Sequence, residues 1–75
     1  MIIRVKAKEL ASLRIKQGLS RYALSRKAGL SKYTITRIEK GFNSPSPKTA
    51  KAILDVLGCD FEDIFTLLKE AGNAS

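Results

Sequence analysis

The 75-residue sequence contains no histidine, no tryptophan and a single cysteine. Without histidine, the nucleophile–base pairs and Cys/His metal clusters that many enzymes use cannot be assembled. Cys59 cannot form an intrachain disulfide, which excludes a disulfide scaffold and fits a reducing, cytoplasmic compartment. We therefore expect a protein that is not an enzyme and that holds no cofactor and no metal ion.

Long apolar runs are lacking as well. No segment approaches the roughly 18 apolar residues of a membrane span, and the stretch 1–6 has too few apolar residues for a signal peptide. The five glycines are scattered singly, so no Gly-rich phosphate loop is present. With 44% apolar residues, the chain has the composition of a globular core rather than of a disordered segment. One domain covering 1–75, without a membrane partner, is expected.

What the sequence does have is basic charge, and that charge is segregated. Residues 1–51 hold thirteen of the fourteen Lys and Arg residues and two acids, a net charge of +11. Residues 52–75 hold one base and five acids, a net charge of −4. One part of the molecule can therefore meet a polyanion while another part stays free. This distribution favours a nucleic-acid partner, although small proteins are also basic for solubility.

Single glycines divide the chain into short helical segments. Gly18, Gly29, Gly41 and Gly58 each follow a stretch of helical periodicity, where a left-handed residue commonly ends a helix. Counting their capping residues, the predicted helices cover 8–17, 20–28, 31–40, 46–57 and 60–68. The fold class expected is therefore all-α, a five-helix bundle over 7–69, with a frayed tail at 70–75 and an arm at 1–6. Residues 2–5 are either a short strand or simply extended.

The segment 21–40 carries the functional pattern. Its second and third predicted helices are joined by a short turn, Gly29-Leu30-Ser31, which is the layout of a helix-turn-helix. Apolar residues at 24, 30, 35 and 38 can pack the two helices crosswise. The opposite face of the third helix then presents side chains that can donate to guanine or phosphate or touch a thymine methyl group; these are Lys32, Tyr33, Thr36 and Arg37.

The same glycines and apolar positions resemble a known family over roughly residues 10–68. The matching residues include Leu13-Arg14, Gly18-Leu19-Ser20, Leu24-Ser25, Gly29-Leu30-Ser31, 34–41, Pro45-Ser46, Ile53, Leu57-Gly58 and Asp63-Ile64-Phe65. In order and spacing these residues are similar to the phage repressor/Cro type of helix-turn-helix, the xenobiotic-response-element-like (XRE) regulators of bacteria and phages. Any one glycine is weak support, whereas the complete series is specific.

The resemblance implies a repressor-like bundle whose third helix, 31–40, enters the major groove of double-stranded DNA. It implies base contacts from Lys32, Tyr33, Thr36 and Arg37. Phosphate contacts are implied at the start of the second helix and around the third helix; the residues are Ser20, Arg21, Thr34, Lys40, Phe42 and Asn43. Arg14 and Glu39 match a family pair that bridges the first and third helices. Sequence-specific DNA binding as a transcriptional regulator, with repression as the favoured mode, is the function expected.

Two positions depart from the family pattern. The first position of the second helix is usually Gln and is Arg21 here, which favours a stronger charge contact over a directional amide contact. A position that is usually Ala is Ser25 here; because serine is nearly the same size, we expect the fold to survive.

The C-terminal region carries more apolar residues than one short helix needs for its inward face; these are Phe61, Phe65, Leu67 and Leu68. Closure of the core is the plain interpretation, and a homodimer contact through the last helix is the sharper one. An alternative function uses the same acidic and apolar region: an antitoxin or adaptor that recruits another protein. Fold alone does not decide between these functions.

Overall fold

The computed structural model describes residues 2–68, so the predicted tail at 70–75 lies outside the described residues. The described chain holds five helices and one two-stranded antiparallel sheet. In chain order the elements are β1 (Ile2–Val5), α1 (Ala7–Lys16), α2 (Arg21–Lys27), α3 (Thr34–Glu39), α4 (Pro47–Leu57), α5 (Phe61–Ile64) and β2 (Phe65–Leu68).

Local capping chemistry sets several of these boundaries. The Ser20 side chain accepts a hydrogen bond from the Ala23 N–H at the start of α2, and the Ser46 side chain accepts one from the Thr49 N–H at the start of α4. Pro47 occupies the first turn of α4, where a missing N–H costs nothing. Gly58 ends α4 in the left-handed conformation. Helices α1, α2 and α4 therefore fall within one or two residues of their predicted bounds.

A single apolar core joins the helices to the sheet. Each element from β1 to β2 contributes at least one buried side chain. The buried apolar residues are Ile3, Leu10, Leu24, Ile35, Ile38, Ala50, Ile53, Leu57, Ile64 and Phe65. Removal of this surface from water is the main favourable contribution to folding.

The prediction of a fifth helix over 60–68 is wrong beyond Ile64. Helix α5 covers Phe61–Ile64, and Phe65–Leu68 form β2, which pairs with β1 in the register Val5↔Phe65 to Ile2↔Leu68. The two strands hydrogen-bond through the backbone groups that face each other, and the Lys6 N–H extends the pairing to the Ile64 carbonyl at 2.8 Å. This pairing also resolves the alternative left open for residues 2–5, which form a strand. The bundle is thus mostly helical with a small sheet.

The third helix begins later than predicted. Residues 28–33 connect α2 to α3; the N-cap is Tyr33 rather than Ser31, and the helix begins at Thr34. The Ser31 carbonyl accepts from the Thr34 N–H at 3.1 Å, so residues 31–33 form a turn that leads into the helix. Lys32 and Tyr33, predicted on the helix, therefore lie in this turn.

Candidate nucleic-acid interface

Helices α2 and α3 pack against each other through their apolar sides. Leu24 on α2 and Ile35 and Ile38 on α3 are buried in the shared core. Between the helices, Gly29 has φ +72°, a left-handed conformation that glycine adopts without steric cost. The Leu30 N–H donates to the Ser25 carbonyl at 2.8 Å and the Gly29 N–H to the Arg26 carbonyl at 3.0 Å, which closes the end of α2.

The four residues predicted to contact bases lie on the side away from that core. Lys32 and Tyr33 are exposed in the turn, where the Lys32 Nζ lies 5.1 Å from the centroid of the Tyr33 ring. Arg37 is exposed on α3 and Thr36 is half-buried beside it. The structure therefore leaves a solvent-facing surface formed by Lys32, Tyr33, Thr36 and Arg37, which we call the α3 outer face.

The residues predicted to contact phosphate lie at the beginning of α2, at the beginning of α3 and in the loop after α3. Ser20 and Arg21 lie at the beginning of α2, and the loop after α3 leaves Lys40, Phe42 and Asn43 exposed. Thr34 is half-buried, and its hydroxyl lies 2.6 Å from that of Ser31, so part of its hydrogen-bonding capacity is used within the turn.

Glu39, at the end of α3, binds two arginines. The Arg14 Nε donates to Glu39 Oε2 at 2.8 Å, and the Arg14 Nη2 donates to Oε1 at 3.3 Å. The Arg21 Nε donates to Glu39 Oε1 at 2.9 Å. Arg14 also donates from Nη1 to the Leu19 carbonyl at 3.0 Å, so its buried charge is well satisfied. This cluster joins α1, α2 and α3.

Residues 10–64 match the sequence family HTH_3, described as Helix-turn-helix. The chain belongs to this helix-turn-helix family. The family relationship expected from the glycine and apolar pattern is thereby confirmed, and the match supports a DNA-binding regulator, a class that is typically non-enzymatic.

A solved structure, the transcriptional regulator VanUg, is similar to this helix-turn-helix protein. The two are 33% identical in sequence with a TM-score of 0.69, and the match covers 93% of this chain and 92% of that one. A comparison with curated proteins gave no match.

Two contacts of this helix-turn-helix protein go beyond what the sequence predicts. Arg21, predicted to contact phosphate, also pairs with Glu39. Ser25, predicted only to fit a position that is usually alanine, accepts a hydrogen bond from the Ile35 N–H at 3.1 Å. Arg21 and Ser25 are the two positions that depart from the family pattern. That departure is the signal in the sequence that their polar groups have a partner.

A second surface of the helix-turn-helix protein is apolar and lies near the sheet. An open groove of about 720 Å³ runs between Ile2 and Ile3, the start of α4, Phe61 and Leu67. Leu67 and Leu68 belong to β2 and not to α5, so a homodimer contact through these two residues would use the strand.

Within residues 2–68, no helix is long and apolar enough to cross a membrane. The same residues contain no group of three or more Asp, Glu, Cys or His side chains that could hold a metal ion.

Proposed function

We propose that this protein binds double-stranded DNA sequence-specifically as a transcriptional regulator, with α3 and the turn before it in the major groove. The observation that carries the proposal is the α3 outer face. It is open to solvent and carries Lys32 and Arg37, while the inner side of α3 is buried. A helix fits the major groove, where each base pair presents its own pattern of donors and acceptors.

Base reading is assigned to the α3 outer face. Arg37 and Lys32 have the donors that suit guanine, and Thr36 suits close approach to a thymine methyl group. Tyr33 lies beside Lys32 at the entrance of the helix, within reach of the same groove edge.

Phosphate contacts are assigned to the rim of that face, where they set orientation and not sequence preference. The residues assigned are Ser20 and Arg21 at the beginning of α2, Thr34 at the beginning of α3, and Lys40, Phe42 and Asn43 in the exposed loop after α3. The net charge of +11 over residues 1–51 supports binding to a polyanion.

Repression is the mode that we propose for regulation. A domain seated in the major groove excludes other proteins from the DNA that it covers, and this requires no further contact.

Selection of bound sites from random duplex DNA at a stated salt concentration tests binding, specificity and half-site symmetry together. A matched pair of variants sharpens the result. Lys32→Ala/Arg37→Ala and Arg26→Ala/Lys27→Ala each remove two positive charges, but the second pair lies on exposed positions of α2 outside the α3 outer face. We expect the first pair to abolish sequence preference and the second to leave the selected sequence unchanged. Equal losses for both pairs, or no retention of duplex DNA by the unmodified protein, would contradict the proposal.

Dimerisation through the C-terminal part stays a prediction, and the contact would involve β2 rather than a helix. Leu67 is exposed on β2 and lines the apolar groove. If two copies pair, their recognition helices should lie about 34 Å apart on a near-palindromic operator. Sedimentation equilibrium at high micromolar concentration, with and without DNA, checks this; a monomer mass in both states rejects it.

The alternative function, an antitoxin or adaptor that recruits another protein through the acidic and apolar C-terminal region, draws its support from the exposed side chains of Leu67 and Leu68. Co-purification of a stoichiometric protein partner without DNA retention would favour it over direct regulation. An antitoxin can also bind its own operator, so retention of both partners is compatible with both functions.

A further inference from the structure

Glu39 is an acid placed at the edge of a cationic surface. Its side chain is 5% exposed, and it is one of the two acids among residues 1–51. A carboxylate near a DNA backbone repels the phosphates, so by charge alone its position disfavours the proposed binding. Arg14 pairs with Glu39 Oε2 at 2.8 Å and with Oε1 at 3.3 Å, but Arg14 is buried and takes no part in the surface. The second arginine, Arg21, is the one that reaches the surface.

Part of the Arg21 guanidinium is hydrogen-bonded to Glu39, and the side chain is otherwise accessible to solvent. Its Nε donates to Glu39 Oε1 at 2.9 Å, while the side chain as a whole is 48% exposed. Among the described residues, its two Nη groups have no hydrogen-bond partner. A guanidinium presents five N–H donors in a fixed planar fork, so fixing Nε also fixes the direction of the remaining donors.

We propose that Glu39 is a positioning residue of the DNA interface, which holds Arg21 so that its Nη groups meet a DNA phosphate. The inference rests on the proposed function. The gain arises because a long, exposed arginine loses rotamer freedom when it binds, and the ion pair with Glu39 removes part of that freedom beforehand. It also ties this phosphate contact to the C-terminal end of α3, the helix that reads bases.

Replacement of Glu39 by Gln, compared with Asp55→Asn, gives the first test. Each substitution removes one negative charge, and Asp55 is paired with Lys51 on the exposed face of α4. General electrostatics predicts that both variants bind DNA as tightly as the unmodified protein or more tightly. If Glu39 positions Arg21, the two variants should differ in DNA affinity. Asp55→Asn should bind as tightly as the unmodified protein or more tightly, whereas Glu39→Gln should bind roughly tenfold more weakly, the size of a charge-assisted hydrogen bond. If Glu39→Gln binds as tightly as Asp55→Asn, the proposal is wrong.

The loss must be separated from a structural effect through Arg14. In the Arg21→Gln background, which has the residue that the family usually carries, Glu39→Gln should weaken DNA binding no further. A role through Arg14 alone would persist in the double variant and would overturn the proposal. In Glu39→Gln and in Arg21→Gln, the plot of log affinity against log salt concentration should become less steep by about 0.9, as expected for one lost phosphate contact. Circular dichroism fixes a temperature at which every variant is folded.

A second variant decides the matter if Glu39→Gln does not fold. Arg21→Lys keeps the charge at a largely exposed position but presents one nitrogen, which cannot serve Glu39 and a phosphate in the geometry of the fork. We expect unchanged thermal stability and weaker binding to the selected DNA; binding equal to that of the unmodified protein would overturn the inference. Failure of the unmodified protein to bind duplex DNA would instead remove the proposed function itself, so the two failures are distinguishable.

Discussion

The Ser25 hydroxyl accepts a hydrogen bond from the Ile35 backbone N–H, at 3.1 Å between Oγ and N, with both residues fully buried. The residue at the N-cap of α3, Tyr33, offers no side-chain hydrogen bond to the helix. Ser25 therefore satisfies, from the neighbouring helix, a backbone donor that a helix start leaves unpaired. This contact fixes the first turn of α3 relative to α2.

Ser25→Ala should destabilise the protein, although alanine is the usual residue of the family at this position. The substitution leaves the buried Ile35 N–H unpaired, which costs about 1–3 kcal/mol of unfolding free energy. Urea denaturation followed by circular dichroism measures the change. Ser12→Ala, at an exposed position of α1, is the control and should change stability little. Equal stability of the Ser25→Ala variant and the unmodified protein would show that the hydrogen bond contributes nothing.

Gly29→Ala should lower stability through the backbone alone. A Cβ at Gly29 would meet no atom within 4 Å, so crowding does not contribute, but φ is +72°. A left-handed conformation costs a non-glycine residue about 1–2 kcal/mol. Gly29→Asn should cost less, because asparagine tolerates this conformation. Thermal denaturation of both variants checks the order; a more stable alanine variant would contradict it.

Arg37→Ala distinguishes base reading from phosphate contact. If Arg37 pairs with guanine, affinity for the selected site should fall by roughly 1–3 kcal/mol and preference at one position should relax. Fluorescence anisotropy with the selected site and its single-base variants measures both effects. Arg26→Ala, exposed on α2, serves as the charge-matched control. A uniform loss on all sequences would reassign Arg37 to the phosphates.

Phe65 and Leu68 should differ sharply in their contribution to stability. A helix through residue 68 would turn both inward, whereas in β2 Phe65 is 1% exposed and Leu68 is 36% exposed. Phe65→Ala should cost about 3–5 kcal/mol, and Leu68→Ala far less. The Phe65 ring also packs on Phe61, with 5.3 Å between centroids. Comparable losses in urea denaturation would favour the helix over the strand.

The Cys59 thiol should react slowly with alkylating reagents near neutral pH. Burial raises the pKa of this thiol above its ordinary value, and the Asp63 and Asp60 carboxylates raise it further. The thiolate is the nucleophile, so its fraction at a given pH falls as the pKa rises. Mass spectrometry after iodoacetamide treatment should show slower modification than in the urea-unfolded protein, with the difference shrinking at high pH. Equal rates near pH 8 would contradict the shift.

Sequence reasoning was accurate where a boundary depends on neighbours along the chain. Ser20, Ser46 and Pro47 act on backbone groups within three residues, and Gly58 ends its helix through its own φ angle. Such interactions depend on residue type and spacing, which the sequence displays directly. The α3 outer face could be predicted for a similar reason, since Ile35 and Ile38 define the buried side of a short helix.

Errors arose where the partner is distant in sequence. Phe65–Leu68 have apolar residues at a spacing compatible with a helix, but β1 lies some sixty residues earlier and pairs with them. A four-residue apolar segment carries little preference of its own, so the backbone partner decides its conformation.

By itself, the sequence determined the family, the succession of five helices and the side of α3 that faces solvent, because glycine conformation, helix capping and apolar periodicity are local properties. Tertiary structure alone decided the strand at Phe65–Leu68, the hydrogen bond from Ile35 to Ser25 and the pairing of Arg21 with Glu39. Each of these joins polar groups from separate elements, and a polar group's partner depends on which elements meet in space.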